Sequence, residues 1–165
     1  MKRVLVIGCP GSGKSCFSVA LHRKSGLPLY HLDRMYWDAE GKKVEKSLFD
    51  RRLREVLEKD EWILDGDYAS TMEMRMAVCD TVFFLDFPTS VCLEGVISRL
   101  GKSREDMPWV QTEMDEAFLD SVKSYREKKR PQVMALLERF CDKRIYIWND
   151  RKEVEAYLKG ESENA

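Results

Sequence analysis

Several features that mark whole classes of protein are scarce in this 165-residue sequence. Neither charge is in excess, because 28 Lys and Arg residues accompany 29 Asp and Glu and leave a net charge of −1. Domains that hold nucleic acid through phosphate contacts usually have a pI above about 9, so this balance argues against direct nucleic-acid binding. With only two histidines, a His-rich metal site is excluded as well.

Paired cysteines and long apolar runs are also lacking. The five cysteines are odd in number and form no Cys-x-x-Cys pair, which argues against a disulfide framework and a zinc site. After Lys2 and Arg3 the apolar run covers only Val4–Ile7, whereas a signal peptide needs roughly 7–15 apolar residues. No stretch approaches the roughly 20 apolar residues of a membrane span. We therefore expect a reduced, cytoplasmic chain without a membrane anchor, and the sequence assigns no oligomeric state.

What the sequence does contain is a regular alternation of apolar runs and helical stripes. Runs typical of buried strands occur at residues 3–7, 29–32, 61–65, 81–86 and 143–148. Helical periodicity covers residues 14–25, 45–58, 90–100 and a last helix that Asp150 and Glu153 can cap. Strands separated by helices predict one α/β domain over residues 1–165, with a parallel sheet covered on both faces. The polar tail from Gly160 onward is expected to be frayed.

Residues 102–141 do not fit this alternation. They lie between the fourth and fifth predicted strands and have the pattern of two helices broken at Pro131. Two interpretations are open, namely ordinary core-packing helices or a mobile lid. A lid is favoured by a strongly basic stretch, Lys123, Arg126, Lys128, Lys129 and Arg130.

The residues Gly8-Cys-Pro-Gly-Ser-Gly-Lys-Ser15 match the P-loop pattern G-x-x-x-x-G-K-[ST] between a predicted strand and a predicted helix. The glycines allow successive backbone N–H groups to face a bound anion, and the helix N-terminus adds positive charge. Lys14 is expected to reach the β and γ phosphates, and Ser15 to ligate Mg²⁺. The predicted nucleotide-binding residues of this segment are Gly8, Pro10, Gly11, Ser12, Gly13, Lys14, Ser15 and Cys16.

Three acids end predicted strands on the same side as the P-loop, where ligands bind in open α/β sheets. Asp65 and Asp86 are candidates for the metal site, since either could hold Mg²⁺ through water. Asp33 could bind an acceptor hydroxyl or take its proton. For each acid alone, a turn or cap role is about as common as a functional one.

Arginines form a second group, because phosphoryl transfer spreads negative charge that guanidinium groups complement. Arg126 and Arg130 are predicted to act in catalysis with Lys14 and Asp33, and Arg99 to contact the nucleotide. Each arginine taken singly is more often a solvated surface charge, and the basic stretch before Pro131 favours function only as a group. The predicted acceptor-binding residues are Asp33, Tyr36, Trp37, Tyr68 and Arg75.

These motifs resemble the nucleoside-monophosphate-kinase-like branch of P-loop proteins, of which adenylate and shikimate kinases are broad relatives. The series is more similar to bacterial topology-modulation (FlaR-like) proteins, also described as adenylate-kinase-like ATP-binding proteins. The matching segments span nearly the whole chain: residues 8–15, 26–33, Tyr36-Trp37, Leu64-Asp-Gly-Asp-Tyr68, Thr71 with Arg75, Phe84-Leu-Asp86, Arg104-Glu-Asp-Met107 and Arg130-Pro131.

The resemblance implies a three-layer αβα P-loop fold with strand order 2-3-1-4-5, ATP and Mg²⁺ as cofactors, and a lid that closes over ATP. It also implies that Asn149 lies near the adenine. Asp67 stands where the family has Asn, and the Pro-Arg that follows Asp-Gly in adenylate kinases is missing, which argues against AMP as acceptor.

Two functions follow. The first is a Mg-ATP-dependent phosphotransferase whose small acceptor is a nucleotide, a nucleoside or another hydroxyl compound. The alternative is a nucleotide-dependent regulatory protein that affects DNA topology without kinase activity.

Overall fold

Five parallel strands form the centre of the computed structural model, which describes residues 1–160. The strands are β1 (Arg3–Gly8), β2 (Leu29–His31), β3 (Trp62–Asp65), β4 (Thr81–Leu85) and β5 (Arg144–Trp148). They pair in the order β2-β3-β1-β4-β5, and every pairing is parallel. The predicted sheet and strand order are therefore confirmed. The expected fraying of the polar tail falls on residues 161–165, which lie outside the described residues.

The helices begin and end close to the predicted boundaries. They are α1 (Lys14–Ser25), α2 (Leu32–Tyr36), α3 (Lys46–Leu57), α4 (Ala69–Val78), α5 (Thr89–Ser98), α6 (Glu116–Lys123), α7 (Tyr125–Lys128), α8 (Arg130–Arg139) and α9 (Arg151–Lys159). Helix α9 has the predicted capping box, with Asp150 and Glu153 bonded to each other's backbone N–H groups. Two helices, α2 and α4, were not predicted.

Each face of the sheet is covered by helices, because alternate residues of a strand point to opposite sides. Val4 and Val6 pack with Phe17 of α1 on one face. Leu5 packs with Met72 of α4 on the other face. The first face also buries side chains of α5, α6 and α7, with partly buried side chains of α9 packed against them. The second face buries side chains of α2, α3 and α8. Each large apolar side chain buried in this way contributes about 1.5–3 kcal/mol to folding.

The 102–141 insertion is docked on the body of the protein. Val122 and Tyr125 are buried in the same cluster as Cys9 of the P-loop. The helix break was predicted at Pro131 but lies at Lys129, between α7 and α8, and Pro131 is in the first turn of α8. Proline is tolerated there since the first N–H groups of a helix have no partner within it. Three helices, α6 to α8, therefore replace the two that were predicted.

No helix within residues 1–160 combines the length and apolar character that a membrane crossing requires. All five cysteines are free thiols. The cytoplasmic location stays a prediction.

Candidate active site

The P-loop connects β1 to α1 at the carboxyl edge of the sheet. Gly8, Gly11 and Gly13 have φ values of 147°, 83° and 93°, a region that side chains other than glycine rarely adopt. A Cβ atom on Gly11 would lie 2.0 Å from the Cys92 carbonyl oxygen of α5. Gly95 of α5 returns the contact, since its Cβ would lie 2.1 Å from the Gly11 oxygen. The loop is thus held against α5 by direct backbone packing.

The interior of this loop fits a phosphate group. A Cβ atom on Gly13 would meet nothing within 4 Å, so space is open beside the first turn of α1. Lys14 Nζ donates to the carbonyl oxygens of Gly8 at 2.8 Å and Cys9 at 3.0 Å, which folds its ammonium back over the loop. The buried Ser12 hydroxyl has no hydrogen-bond partner among the described residues. An anion held there would meet a cation, a free hydroxyl and a helix N-terminus.

Arg99 lies at the end of α5 near this loop. Burial lowers the pKa of its guanidinium to about 10. Its buried Nε has no hydrogen-bond partner within the described part of the chain. This N–H group can therefore donate to an anionic ligand. Pro10 is half-buried, whereas Cys16 and Asn149 are exposed, and the Asn149 N–H is bonded to Glu153. Their roles toward the nucleotide stay predictions.

Asp33 lies in the first turn of α2, directly after β2. The Tyr68 hydroxyl donates to Asp33 Oδ1 at 2.5 Å. Burial raises the pKa of Asp33, and the Tyr68 hydrogen bond and the Lys14 charge offset only part of that rise. Its carboxylate is therefore a stronger base than an ordinary aspartate, which suits the removal of a proton from a hydroxyl group.

The aromatic residues predicted for the acceptor do lie together with Tyr68. The ring centroids of Tyr36 and Tyr68 are 4.8 Å apart, and those of Tyr36 and Trp37 are 5.1 Å apart. Trp109 of the insertion joins the group, with its centroid 6.0 Å from that of Trp37. The insertion therefore contacts the side of the site that holds Asp33.

Asp65, at the end of β3, pairs with a residue that the sequence did not single out. The register aligns His31 with Asp65, and His31 Nδ1 lies 2.9 Å from Asp65 Oδ2. Burial lowers the pKa of His31, but the hydrogen bond and charge of Asp65 outweigh that effect, so the pKa is raised. The hydrogen bond therefore occupies one oxygen of a predicted metal residue.

Asp86, at the end of β4, is bonded to the insertion. Arg130 Nε lies 2.9 Å from Oδ1 and 2.8 Å from Oδ2, and Arg130 Nη2 lies 2.7 Å from Oδ2. Arg126 Nη1 lies 3.5 Å from Oδ1. The carboxylate side chain is 2% exposed. The structure therefore joins a predicted metal residue to two predicted catalytic arginines.

Arg75 is fully buried under the turn that follows β3. It donates to the carbonyl oxygens of Gly66 at 2.9 Å and Tyr68 at 2.7 Å, and to Thr71 Oγ1 at 3.1 Å. Nε, Nη1 and Nη2 of Arg75 are each engaged in one of these bonds, which fix the backbone of the turn that carries Tyr68. Its side chain is 0% exposed, and its predicted contact with an acceptor stays a prediction.

Two further acids at the site were missed as site residues from sequence. Asp67 accepts from the Tyr125 hydroxyl at 3.1 Å, and burial raises the pKa of Asp67. Asp106 accepts from Ser15 Oγ at 2.8 Å and is paired with Arg104. The only signals were the Asp-Gly-Asp turn and the Arg104-Glu-Asp segment, neither of which has a spacing that identifies its partner.

Three solved structures that resemble this chain in fold are kinases. A shikimate kinase from Bacteroides thetaiotaomicron matches with a TM-score of 0.60 and 21% identity, over 96% of this chain and 95% of that one. The fold is that of shikimate kinase. A shikimate kinase from Aquifex aeolicus matches with a TM-score of 0.55 and 21% identity, over 99% of both chains. A sugar kinase from Janibacter sp. matches with a TM-score of 0.57 and 17% identity, over 97% of this chain and 91% of that one.

In sequence, no family model and no curated protein matches the chain. The resemblance to topology-modulation proteins stays a prediction. At these identities the structural matches establish the fold, and the reaction has to be argued from the site.

Proposed function

We propose that this protein is a phosphotransferase that moves the γ-phosphoryl group of ATP to a small hydroxyl-bearing acceptor. One observation supports the proposal above the others. Lys14, at an intact P-loop, and the half-buried base Asp33 lie at the same sheet edge, close enough for the Lys14 charge to lower the pKa of Asp33. A phosphate-binding cation beside a proton acceptor is the arrangement that phosphoryl transfer to a hydroxyl requires.

On the nucleotide side, the P-loop backbone and Lys14 would bind the phosphates, and Arg99 would complement charge that develops during transfer. Mg²⁺, when bound, would neutralise phosphate charge and fix the reacting group. Ser15 is our proposed ligand, with Asp65 as a second candidate. Asp65 is favoured over Asp86 because Arg130 bonds both oxygens of Asp86, whereas His31 bonds one oxygen of Asp65.

The described residues contain no group of three or more His, Cys, Asp or Glu side chains that could hold a metal. This fits a nucleotide-borne Mg²⁺, which is typically held by one or two protein groups together with phosphate and water.

On the acceptor side, Asp33 would accept the hydroxyl proton while Tyr68 fixes the carboxylate. Tyr36 and Trp37 would pack against the acceptor, which could be a nucleotide, a nucleoside or another hydroxyl compound. The names of the structural neighbours, shikimate kinase and sugar kinase, support a small hydroxyl compound. Arg126 and Arg130 would reach the transferred group only after leaving Asp86. Because the matching motifs occur in the same order along the chain, we also propose that this protein belongs to the topology-modulation family.

The proposal is tested by calorimetric titration of a non-hydrolysable ATP analogue with Mg²⁺, followed by a thermal-shift screen of acceptors with the analogue bound. We expect wild type to bind the analogue and Lys14→Ala to bind at least about tenfold more weakly, because a direct charge–phosphate contact is lost. Lys24→Ala, which removes an exposed lysine at the other end of α1, serves as the control. Equal binding by wild type and Lys14→Ala would contradict the proposal.

A further inference from the structure

The predicted metal ligand Ser15 is hydrogen-bonded to Asp106, a residue that has no role in the proposed function. Ser15 Oγ donates to Asp106 Oδ2 at 2.8 Å, across 91 positions of sequence. Asp106 is 7% exposed and belongs to the insertion. Within residues 1–160, it is the one carboxylate that hydrogen-bonds Ser15. The contact therefore joins the insertion to the P-loop at the proposed metal site.

Asp106 is paired with a neighbouring arginine of the same turn. Arg104 donates to it twice, from Nε to Oδ1 at 2.9 Å and from Nη2 to Oδ2 at 2.6 Å. Arg34 fixes the same turn by donating to the Glu105 carbonyl oxygen. The two hydrogen bonds from one guanidinium group thus fix the orientation of the Asp106 carboxylate.

This contact has a specific consequence for the Ser15 hydroxyl. A serine hydroxyl carries one proton and two lone pairs, and a cation binds only through a lone pair. Because the proton is directed to Asp106, the lone pairs are turned away from Asp106 and remain for a ligand. Groups that orient a metal ligand in this way commonly change metal affinity by 10–100-fold when removed.

We propose that Asp106 is a positioning residue that orients the Ser15 hydroxyl toward the divalent cation of a bound nucleotide. The inference rests on the proposed function, since it assigns Ser15 to the metal. The two strand-end acids are differently engaged, because Asp65 is bonded to His31 and Asp86 to Arg130. As Asp106 is part of the insertion, cation binding at Ser15 and docking of the 104–106 turn are coupled.

The test is the factor by which Mg²⁺ tightens binding of a non-hydrolysable ATP analogue, measured by calorimetry with Mg²⁺ and with EDTA. For Asp106→Ala we expect this factor to fall about tenfold relative to wild type. Binding in EDTA is unchanged or tighter, because a carboxylate near the phosphates has been removed. Asp106→Asn keeps an acceptor oxygen for Ser15, and its factor lies between the two. Glu105→Gln, an exposed acid one position away, matches wild type.

A double-mutant cycle separates positioning from independent binding. In Ser15→Ala we expect the factor by which Mg²⁺ tightens analogue binding to be reduced. If Asp106 acts through Ser15, adding Asp106→Ala to this variant should reduce the factor no further. Additive losses would overturn the proposal. Unfolding midpoints without nucleotide establish that each variant is folded. If Asp106→Ala does not fold, Asp106→Asn replaces it in the cycle, and a factor equal to wild type overturns the proposal.

The outcomes for this inference and for the proposed function are distinct. If wild type binds the analogue without any effect of Mg²⁺, the metal assignment in the proposed function fails. If wild type shows the effect and Asp106→Ala shows it equally, only the positioning role fails. If Asp106→Ala binds the Mg²⁺ complex more tightly than wild type, Asp106 obstructs the site and the positioning role is likewise overturned.

Discussion

Two carboxylates on opposite sides of the P-loop, the buried Asp86 and the half-buried Asp33, differ in the partners that the fold gives them. Asp86, after β4, is bonded to the guanidinium of Arg130, which keeps its positive charge. Asp33, after β2, is bonded to the neutral hydroxyl of Tyr68, and burial raises its pKa. A carboxylate paired with a permanent cation holds structure together, whereas one with a neutral partner can exchange a proton. The side chain of Asp86 thus fastens the insertion, and that of Asp33 is suited to chemistry.

The largest effect is expected at Asp33. Asp33→Asn removes the proton acceptor and should lower acceptor-dependent ADP formation by about 10²–10⁴-fold. Urea unfolding should show stability equal to or above that of wild type, since burying the charge is unfavourable. Asp60→Asn is the matched control, because the Asp60 side chain is 97% exposed at the opposite end of β3. A fully active Asp33→Asn protein would show that Asp33, like Asp86, does not act as the proton acceptor.

Asp86→Asn should act on stability instead. Loss of the charged hydrogen bonds from Arg130 should lower the free energy of unfolding by about 1.5–3 kcal/mol, measured by urea denaturation. The exposed Arg139–Glu73 pair, with side chains 62% and 57% exposed, provides the comparison. Glu73→Gln should cost about 0–1 kcal/mol. Equal losses from the two variants would mean that Asp86 and Arg130 do not fasten the insertion.

The His31–Asp65 pair should make the free energy of unfolding depend on pH. The pKa of folded His31 is raised above its ordinary value of 6.5. Its stabilising charge is therefore fully present below pH 6.5 and is lost as the pH rises through the folded pKa. His31→Asn should cost about 1–2 kcal/mol at pH 6 and less at higher pH, measured by urea denaturation across pH. A cost that grows with pH would show that His31 is not protonated against Asp65.

The smallest effect is expected from Tyr68→Phe. The Tyr68 hydrogen bond lowers the pKa of Asp33, so its removal should raise that pKa further. The acidic limb of the pH–rate profile should move to higher pH, with a smaller loss of activity than in Asp33→Asn. Tyr30→Phe, at a half-buried tyrosine of β2, is the control. An unshifted acidic limb would show that Asp33 does not set it.

The nucleotide side of the site could be predicted from sequence because it is local. The P-loop glycines, Lys14 and Ser15 are contiguous, and the strand-and-helix alternation fixes their place at the sheet edge. Asp33 could be placed there too, since it directly follows a predicted strand. The Asp33–Tyr68 contact joins residues 35 positions apart, and no sequence period indicates it.

The insertion could not be predicted to this level. Residues 102–115 have no helical or strand period, so the bond from Ser15 to Asp106 depends on tertiary folding alone. Arg75 was assigned to the acceptor by its residue type, whereas its position in the unpredicted helix α4 buries it under the turn after β3. The spacing of Met72 and Met76, four residues apart, was the available signal for that helix.

Labelled phosphate gives a direct measurement of γ-phosphoryl transfer by this protein. Wild type would be incubated with Mg²⁺, γ-³²P-labelled ATP and a panel of nucleotides, nucleosides and small alcohols, with Lys14→Ala alongside. We predict label on at least one acceptor, ADP formation above the level without acceptor, and neither result for Lys14→Ala. Label found only in inorganic phosphate, at a rate that no acceptor changes, would show that the protein hydrolyses ATP and transfers no phosphoryl group to an acceptor.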